Sequence, residues 1–375
     1  MNKDYTSLGL MSGTSGDGVD ASIIQSDGET KYNVIKDRYY EYSNDIYQKI
    51  HDLKDKIHNF NHLKILNKDL NELERKITLF HAKVVKEILE NREIDIVGFH
   101  GQTIYHNPEE KISKQLGDGK LLSQLTGKNI IYNFRKNDIL NGGEGAPLTP
   151  IFHQLIATQL KLDLPTCMLN IGGISNTTII DEPVGTYGFR SRDIGPGNCL
   201  IDSWVRKNSE LKFDYDGLLA SAGNTNIIIL EQAQELFNNR PIQNKLSFDT
   251  SDFDVSFVRG LSLEDGAATL TDFTANIIGS ELTRLLSKVK NKSLQVVLCG
   301  GGRKNKLLMK KIKNNTLKNI LIKPIDDYGL DGDFIESQAF AFLAIRSLLK
   351  FPISFSSTTG CKKPSLGGEF IKKLN

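Results

Sequence analysis

The stretch Gly9 to Ser22, GLMSGTSGDGVDAS, limits most sharply what this chain can fold into. Leu8, Leu10 and Met11 lead into Ser12-Gly13-Thr14-Ser15-Gly16-Asp17-Gly18, and then come Val19, Ala21 and Ile23 at an apolar period of two. Apolar segments on both sides of a glycine-rich turn predict strand, tight turn, strand: a β-hairpin. The glycines at its tip can take positive φ and let a ligand approach the backbone. Amides there, with the hydroxyls of Ser12, Thr14 and Ser15, are placed to face an anion, phosphate first among them. On this stretch alone, an ordinary Gly/Ser turn reads equally well.

A chain of 375 residues exceeds one typical core and suits two domains. Its net charge of +2 and lack of a long basic run argue against a nucleic-acid partner. No run approaches the roughly 18 apolar residues of a membrane span. The start, MNKDYTSLGLMSG, lacks an apolar core of secretory length, so a cytoplasmic protein without a membrane partner is expected. Cys167, Cys199, Cys299 and Cys361 form no CxxC pair, and no HExxH occurs, so disulfide and zinc roles are not expected.

Tyr32 to Tyr40 predicts a third strand beside the hairpin. Two helices come next, the second carrying Leu70, Leu73, Ile77, Phe80, Val84 and Ile88 as a core stripe. Ile94 to Phe99 reads as a buried strand ending in a polar turn, His100-Gly101-Gln102-Thr103, at the edge where ligands collect in α/β sheets; His100 is either a satisfied structural histidine or, with Gln102 and Thr103, part of a site lining. Arg135 to Pro150, with three glycines and two prolines, reads as a long loop. Strand, Gly172-Gly173, strand then repeats the opening hairpin, which suggests two similarly built lobes and a clamp on a triphosphate. In Arg192-Asp193-Ile194-Gly195-Pro196-Gly197-Asn198, Asp193 stands before a predicted helix. It is either an N-terminal cap or a general base held by a stiff turn.

Further on, a helix over Gly266 to Leu286 precedes a strand, Leu294 to Leu298, and Cys299-Gly300-Gly301-Gly302-Arg303-Lys304-Asn305. Strand, three glycines and helix suit close backbone approach to a nucleoside. Neither GxGxxG nor GxxxxGK[ST] is present, which disfavours Rossmann and P-loop folds. Asp331 or Asp333 is the expected cap of a helix carrying Glu336, itself either a first-turn acid or a site residue. Ser354 to Gly368 reads as a surface loop, with Phe370 and Ile371 docking back on the body.

In this order the motifs GLMSGTSGDGVD, GFHGQT, QLGDG, FRKNDILNGGEGAPL, NIGGISN, DIGPGN, ATLTDFTA, CGGGRKN and ESQAFAFLA resemble the anhydro-N-acetylmuramic acid kinase family, nearly end to end. The resemblance implies an α/β, two-lobed actin/hexokinase-like (ribonuclease H-like) ATPase fold with a central interlobe cleft. It implies lobes over 1–164 and 165–375, with the C-terminal tail returning to the first, and ATP and Mg²⁺ as cofactors. The first hairpin (Gly13, Thr14, Ser15, Gly16, Asp17, Gly18, Val19, Asp20) and the second (Gly172, Gly173) would hold the phosphates. Gly300, Gly301 and Gly302 would meet the adenosine. The family phosphorylates 1,6-anhydro-N-acetylmuramic acid, from peptidoglycan turnover, while water opens its anhydro ring. Asp193 matches the catalytic carboxylate and Glu336 an acid on the substrate side. His100, Gln102 and Thr103 match sugar-contacting residues, and Asn198 joins them as an expected substrate contact.

Where superfold members often carry an Asp at the first hairpin, this chain has Met11, which leaves Asp17 and Asp20 to organise Mg²⁺ through water. Direct metal ligands stay unassigned, and a small anhydrosugar is the expected partner, with a homodimer left open. Three positions depart from the family: Glu144 for glutamine, Asn133 for aspartate, and the segment Pro241 to Phe253. Two rival readings are a same-superfold kinase of another small sugar or carboxylate, and a nucleotide-binding sensor without catalysis. The second would expect an appended partner-binding segment and loss of Asp193.

Overall fold

The computed structural model describes residues 3–239, 246–288 and 293–373. The divergent segment from Pro241 therefore lies outside the described residues up to position 245. In chain order the strands are β1 (Tyr5–Ser12), β2 (Gly18–Ser26), β3 (Tyr32–Glu41), β4 (Ile96–Asn107), β5 (Ile112–Leu116), β6 (Ile130–Tyr132), β7 (Thr166–Ile171), β8 (Ile174–Ile180), β9 (Phe189–Pro196), β10 (Leu294–Cys299), β11 (Ile320–Pro324) and β12 (Glu369–Ile371). The helices are α1 (Asn44–Lys54), α2 (Phe60–Ile65), α3 (Asn67–Leu89), α4 (Gly119–Thr126), α5 (Lys136–Leu140), α6 (Pro150–Gln159), α7 (Cys199–Asn208), α8 (Leu218–Ala222), α9 (Ile227–Asn238), α10 (Leu263–Leu286), α11 (Lys306–Asn314), α12 (Ile335–Leu348) and α13 (Ser356–Thr359).

Two compact units divide the chain. The first is Met1–Leu162, Glu182–Ser191 and Asp333–Asn375; the second is Asp163–Asp181 and Arg192–Gly332. The first boundary falls close to the expected 164/165. Beyond it the division differs from a single cut, because α12 and the C-terminal segment after it pack with the first unit rather than the second.

In the first unit the sheet order is β12-β6-β4-β1-β2-β3, with β5 on β4. β1, β2 and β3 are antiparallel neighbours, while β4 and then β6 run parallel to β1 and β4. Leu8 and Leu10 join Leu73, Ile77, Val84 and Phe99 in one core under α3. The alternate residue, Gly9, faces α12 instead, so the sheet is covered on both sides. In the second unit the order is β11-β10-β7-β8-β9. β7 and β8 are antiparallel, and β10 and β11 continue parallel to β7. Its core gathers Leu169, Ile171, Val296 and Leu298 against Ile278 and Leu282 of α10 and Leu308 of α11. Each unit thus has three consecutive strands on one side and two parallel strands on the other. The ribonuclease H-like α/β fold expected from the sequence is present twice.

Several local expectations change. His100-Gly101-Gln102-Thr103 is not a turn: β4 runs straight through it to Asn107. Asp193 to Pro196 is strand β9, not turn, and Asn198 occupies the N-cap of α7. Phe334, not Asp331 or Asp333, precedes α12. The stretch after Arg135 folds back into helix, α5. Ser354 to Gly368 is no surface loop: Ser354, Thr358, Thr359, Cys361 and Ser365 are buried, and β12 then pairs antiparallel with β6. Cys167 and Cys299 are buried strand thiols, and none of the four cysteines is in a disulfide. No described helix is long and apolar enough to cross a membrane.

Candidate active site

The loop Gly13–Asp17 joins β1 to β2, and side chains from other elements fix its carbonyls. Gln102 Nε2 donates to Gly13 O at 2.7 Å, and Lys54 Nζ donates to Thr14 O at 2.8 Å. The amide of Tyr42 donates to Asp17 O at 2.9 Å. Ser15 Oγ donates to Asp17 Oδ1 at 2.6 Å, so this hydroxyl is turned into the loop. Ser12, expected to face the anion, does not: it is fully buried and bonded to Tyr42 and His81. Val19 is also fully buried, so its side chain packs the core. Asp17 and Asp20 stay half-buried at the hairpin.

A β-bulge explains how Gln102 reaches the loop. Leu10 pairs with Phe99, but Met11 pairs with Gly101, which leaves His100 as the extra residue. Gly101 sits at φ 77°, a conformation that favours glycine. A bulge re-aims the residues beyond it, and here Ser12 and Gln102 become partners. His100 itself is engaged on both ring nitrogens. Nδ1 lies 2.7 Å from Gly101 O, so it carries the proton, and Nε2 accepts from Arg135 Nε at 3.1 Å and Nη2 at 2.9 Å. Burial, then the Arg135 charge, holds its pKa well below the ordinary value. Both nitrogens are therefore bonded within the protein, and the expected sugar contact by this ring finds no support in its bonding. Thr103 is buried beside them, and Glu336 lies half-buried in the first turn of α12 in the same unit.

The second unit brings its own glycine motifs together. The carbonyl of Gly172 accepts from Asn198 N at 2.8 Å, and that of Gly173 from Gly197 N at 2.9 Å and Cys199 N at 3.1 Å. A Cβ on Gly197 would overlap the Gly172 carbonyl, so the DIGPGN segment locks directly onto the hairpin. Gly300 lies against Asn170 and Ile171, while a Cβ on Gly301 would meet nothing within 4 Å. At Gly301 one face of this loop is therefore open. Arg303 secures it, donating to Gly300 O at 3.1 Å and bridging Asp326 at 2.7 Å. On β9, Asp193 is 6% exposed. Its Oδ2 accepts from Phe248 N at 2.8 Å, and its own amide donates to Leu246 O at 2.8 Å. Its position within β9, well before the α7 cap at Asn198, removes the capping alternative.

The sequence profile described as anhydro-N-acetylmuramic acid kinase matches residues 5–373. A relative so named from Pelagibacter ubique (strain HTCC1062) is 57% identical over 374 residues, covering 99% of this chain and 100% of that one. The chain belongs to the anhydro-N-acetylmuramic acid kinase family. A family member from Agrobacterium fabrum is 36% identical, over 99% of this chain and 100% of its own. Another from Zymomonas mobilis is 37% identical, over 96% and 98%. Among solved structures, a ROK family glucokinase from Streptomyces griseus aligns at a TM-score of 0.41 and 13% identity, covering 90% of this chain and 99% of that one.

Sequence reading missed three supports of the family's first glycine loop: Tyr42, Lys54 and His81. His81 falls four residues after Ile77 and three before Val84, so the helical stripe alone would have placed it inside the core. Tyr42 and Lys54 carry no such periodic signal.

Proposed function

We propose that this chain is an ATP-dependent kinase that phosphorylates 1,6-anhydro-N-acetylmuramic acid while water opens the anhydro ring, giving N-acetylmuramic acid 6-phosphate in peptidoglycan recycling. The observation that carries this reading is family membership over nearly the full chain, supported by Asp193, which is held on β9 by a hydrogen bond from Phe248 N. Asp193 takes a proton from water as that water attacks the anomeric carbon. The anomeric carbon's bond to the bridging oxygen breaks, and its electron pair stays on that oxygen. This oxygen, now at the 6-position, attacks the γ-phosphorus, and ADP leaves. One water and one ATP are consumed, and the proton on Asp193 returns to solvent. Glu336 serves on the substrate side. Gly13–Asp20 and Gly172–Gly173 bind phosphates, and Gly300–Gly302 meet the adenosine.

Among the described residues no group of three His, Cys, Asp or Glu could hold a metal on its own. Mg²⁺ keeps several waters and takes one or two carboxylates plus substrate phosphates. Asp17 and Asp20 are the carboxylates that fit, through water, and Mg²⁺ would supply charge neutralisation at the phosphates. A cytoplasmic location and a small-sugar partner, with no nucleic acid, complete the reading; net charge +2 supports the last point.

The test is ADP release across a panel of anhydrosugars and ordinary amino sugars, followed by turnover in oxygen-18 water. Turnover on the anhydro compound, with label on the anomeric hydroxyl alone, is expected. Label in the transferred phosphate, or a product that keeps its bridge, overturns the mechanism.

A further inference from the structure

We propose that Tyr42 and His81 are positioning residues of the first phosphate hairpin, acting through Ser12 at its entry and Asp17 at its exit; this rests on the assignment of that hairpin to ATP. Tyr42, Ser12 and His81 form one buried hydrogen-bonded chain at the edge of the core to which the Tyr42 ring belongs. Ser12 and His81 are fully buried and Tyr42 is 3% exposed. Their side-chain polar atoms are spent on one another and on the Ile77 carbonyl.

The direction of each hydrogen bond is set by the acceptor at the end. His81 Nδ1 lies 2.8 Å from Ile77 O, and a carbonyl can only accept, so Nδ1 carries the ring proton. Burial lowers the His81 pKa to about 4, which keeps the ring neutral at ordinary pH. Nε2 is then an acceptor, and Ser12 Oγ, 3.1 Å away, must donate to it. With its proton spent, Ser12 Oγ accepts from Tyr42 OH at 2.9 Å. The order Tyr42 to Ser12 to His81 to Ile77 is thus the one consistent with neutral groups. Every donor in it is used.

Tyr42 also holds the far end of the same loop. Its amide donates to Asp17 O at 2.9 Å, while its hydroxyl reaches Ser12. The residues just before and at the end of the loop Gly13–Asp17 are therefore tied to one residue outside the hairpin. The Tyr42 ring is fixed edge-on to Phe80, with centroids 5.0 Å apart, and His81 packs at 4.9 Å from Phe99. α3 thereby becomes the support of the loop as well as core. A glycine-rich loop has many backbone conformations to lose on binding a phosphate, and fastening both feet in advance lowers that cost.

Tyr42→Phe deletes one oxygen and keeps the ring packing and the amide bond to Asp17. His81→Leu deletes the terminal acceptor, and His81→Gln returns a carbonyl oxygen as an acceptor near Nε2. Calorimetric ATP affinity, KM for ATP, KM for the anhydrosugar and melting temperature are measured on each. Tyr42→Phe and His81→Leu should weaken ATP binding and raise KM for ATP about three- to tenfold, the size of one hydrogen bond. KM for the sugar should stay within about twofold, and His81→Gln should lie closer to the parent than His81→Leu. A folded Tyr42→Phe protein with unchanged ATP affinity, or an equal rise in both KM values, overturns the proposal; if His81→Leu does not fold, Tyr42→Phe decides. Gly13→Val in parallel separates the two ideas. Lost ATP binding there with an unaffected Tyr42→Phe sinks the positioning role alone, and retained ATP binding in Gly13→Val sinks the hairpin assignment with it.

Discussion

Gly9 and Gly98 stand opposite each other in the parallel strands β1 and β4, and both lie directly beneath the backbone of α12. A Cβ on Gly9 would overlap the carbonyl oxygen of Ser337, and one on Gly98 that of Phe340. The helix therefore rests on the sheet at backbone distance, and Ser22 Oγ meets Ser337 Oγ at 2.6 Å beside it. This contact draws the last part of the chain into the first unit and sets the depth of the helix that carries Glu336.

The same contact sets the first expectation. Gly98→Ala should destabilise the protein by about 1–3 kcal/mol or more, since the overlapped atom is backbone and cannot turn aside. Urea unfolding against the parent measures it. A midpoint unchanged in Gly98→Ala would mean that α12 can lift without cost.

Two glycines of the first loop should behave in opposite ways. A Cβ on Gly13 would meet only Ser15 Oγ at 3.8 Å, whereas one on Gly18 would overlap Tyr40 O. Gly13→Val should therefore fold normally and lose ATP binding, because its side chain fills space offered to the phosphate. Gly18→Ala should lose stability first. Thermal melts with calorimetric ATP titration distinguish them. Gly13→Val binding ATP as the parent does would remove the phosphate assignment.

Acid should weaken the fold through buried histidines. The pKa values of His81 and His153 are lowered by burial from 6.5 to about 4. Between those values the unfolded chain binds protons that the native protein refuses, so stability rises with pH there. The contribution is fully present above pH 6.5 and is lost as pH falls toward 4. Each ring accounts for on the order of 3 kcal/mol across that window. Urea midpoints at several pH values should fall steadily below neutrality, and His81→Gln should flatten the slope by about one proton. A flat profile over that range would contradict neutral burial of these rings.

Much of the fold was legible because it is written in local pattern. The apolar alternation of Leu8 to Ile23 and the Gly172-Gly173 repeat mark both hairpins, and the stripe from Leu70 to Ile88 marks α3. Long-range contacts were not legible. Gly101 looks like a turn residue, yet its positive φ serves a bulge inside β4. Ser354, Thr358, Thr359 and Ser365 look like a surface loop but are buried. In part that is because Asp138 accepts from Thr359 Oγ1 at 2.7 Å, a bond between residues far apart along the chain. Ser12 reads as an anion ligand until Tyr42 and His81 are seen to claim its hydroxyl. Asp193 was legible as a candidate, but its placement in β9, with Phe248 on its carboxylate, needed the tertiary structure.

That placement makes Asp193 the sharpest test of the chemistry. Its carboxylate accepts a backbone hydrogen bond from Phe248 N at 2.8 Å. An asparagine side chain would keep that bond through its carbonyl oxygen, so Asp193→Asn should fold as the parent does. What it loses is the ability to take a proton from water. A positioned general base contributes roughly 10²–10⁴-fold, so kcat should fall by about that factor or more while affinity for the sugar and ATP is largely kept. A helix-capping role predicts full activity, because asparagine caps as well as aspartate, but the cap of α7 is Asn198. Steady-state kinetics together with calorimetric affinities on the folded variant decide the matter. Near-parental kcat in Asp193→Asn would mean that another group deprotonates the attacking water.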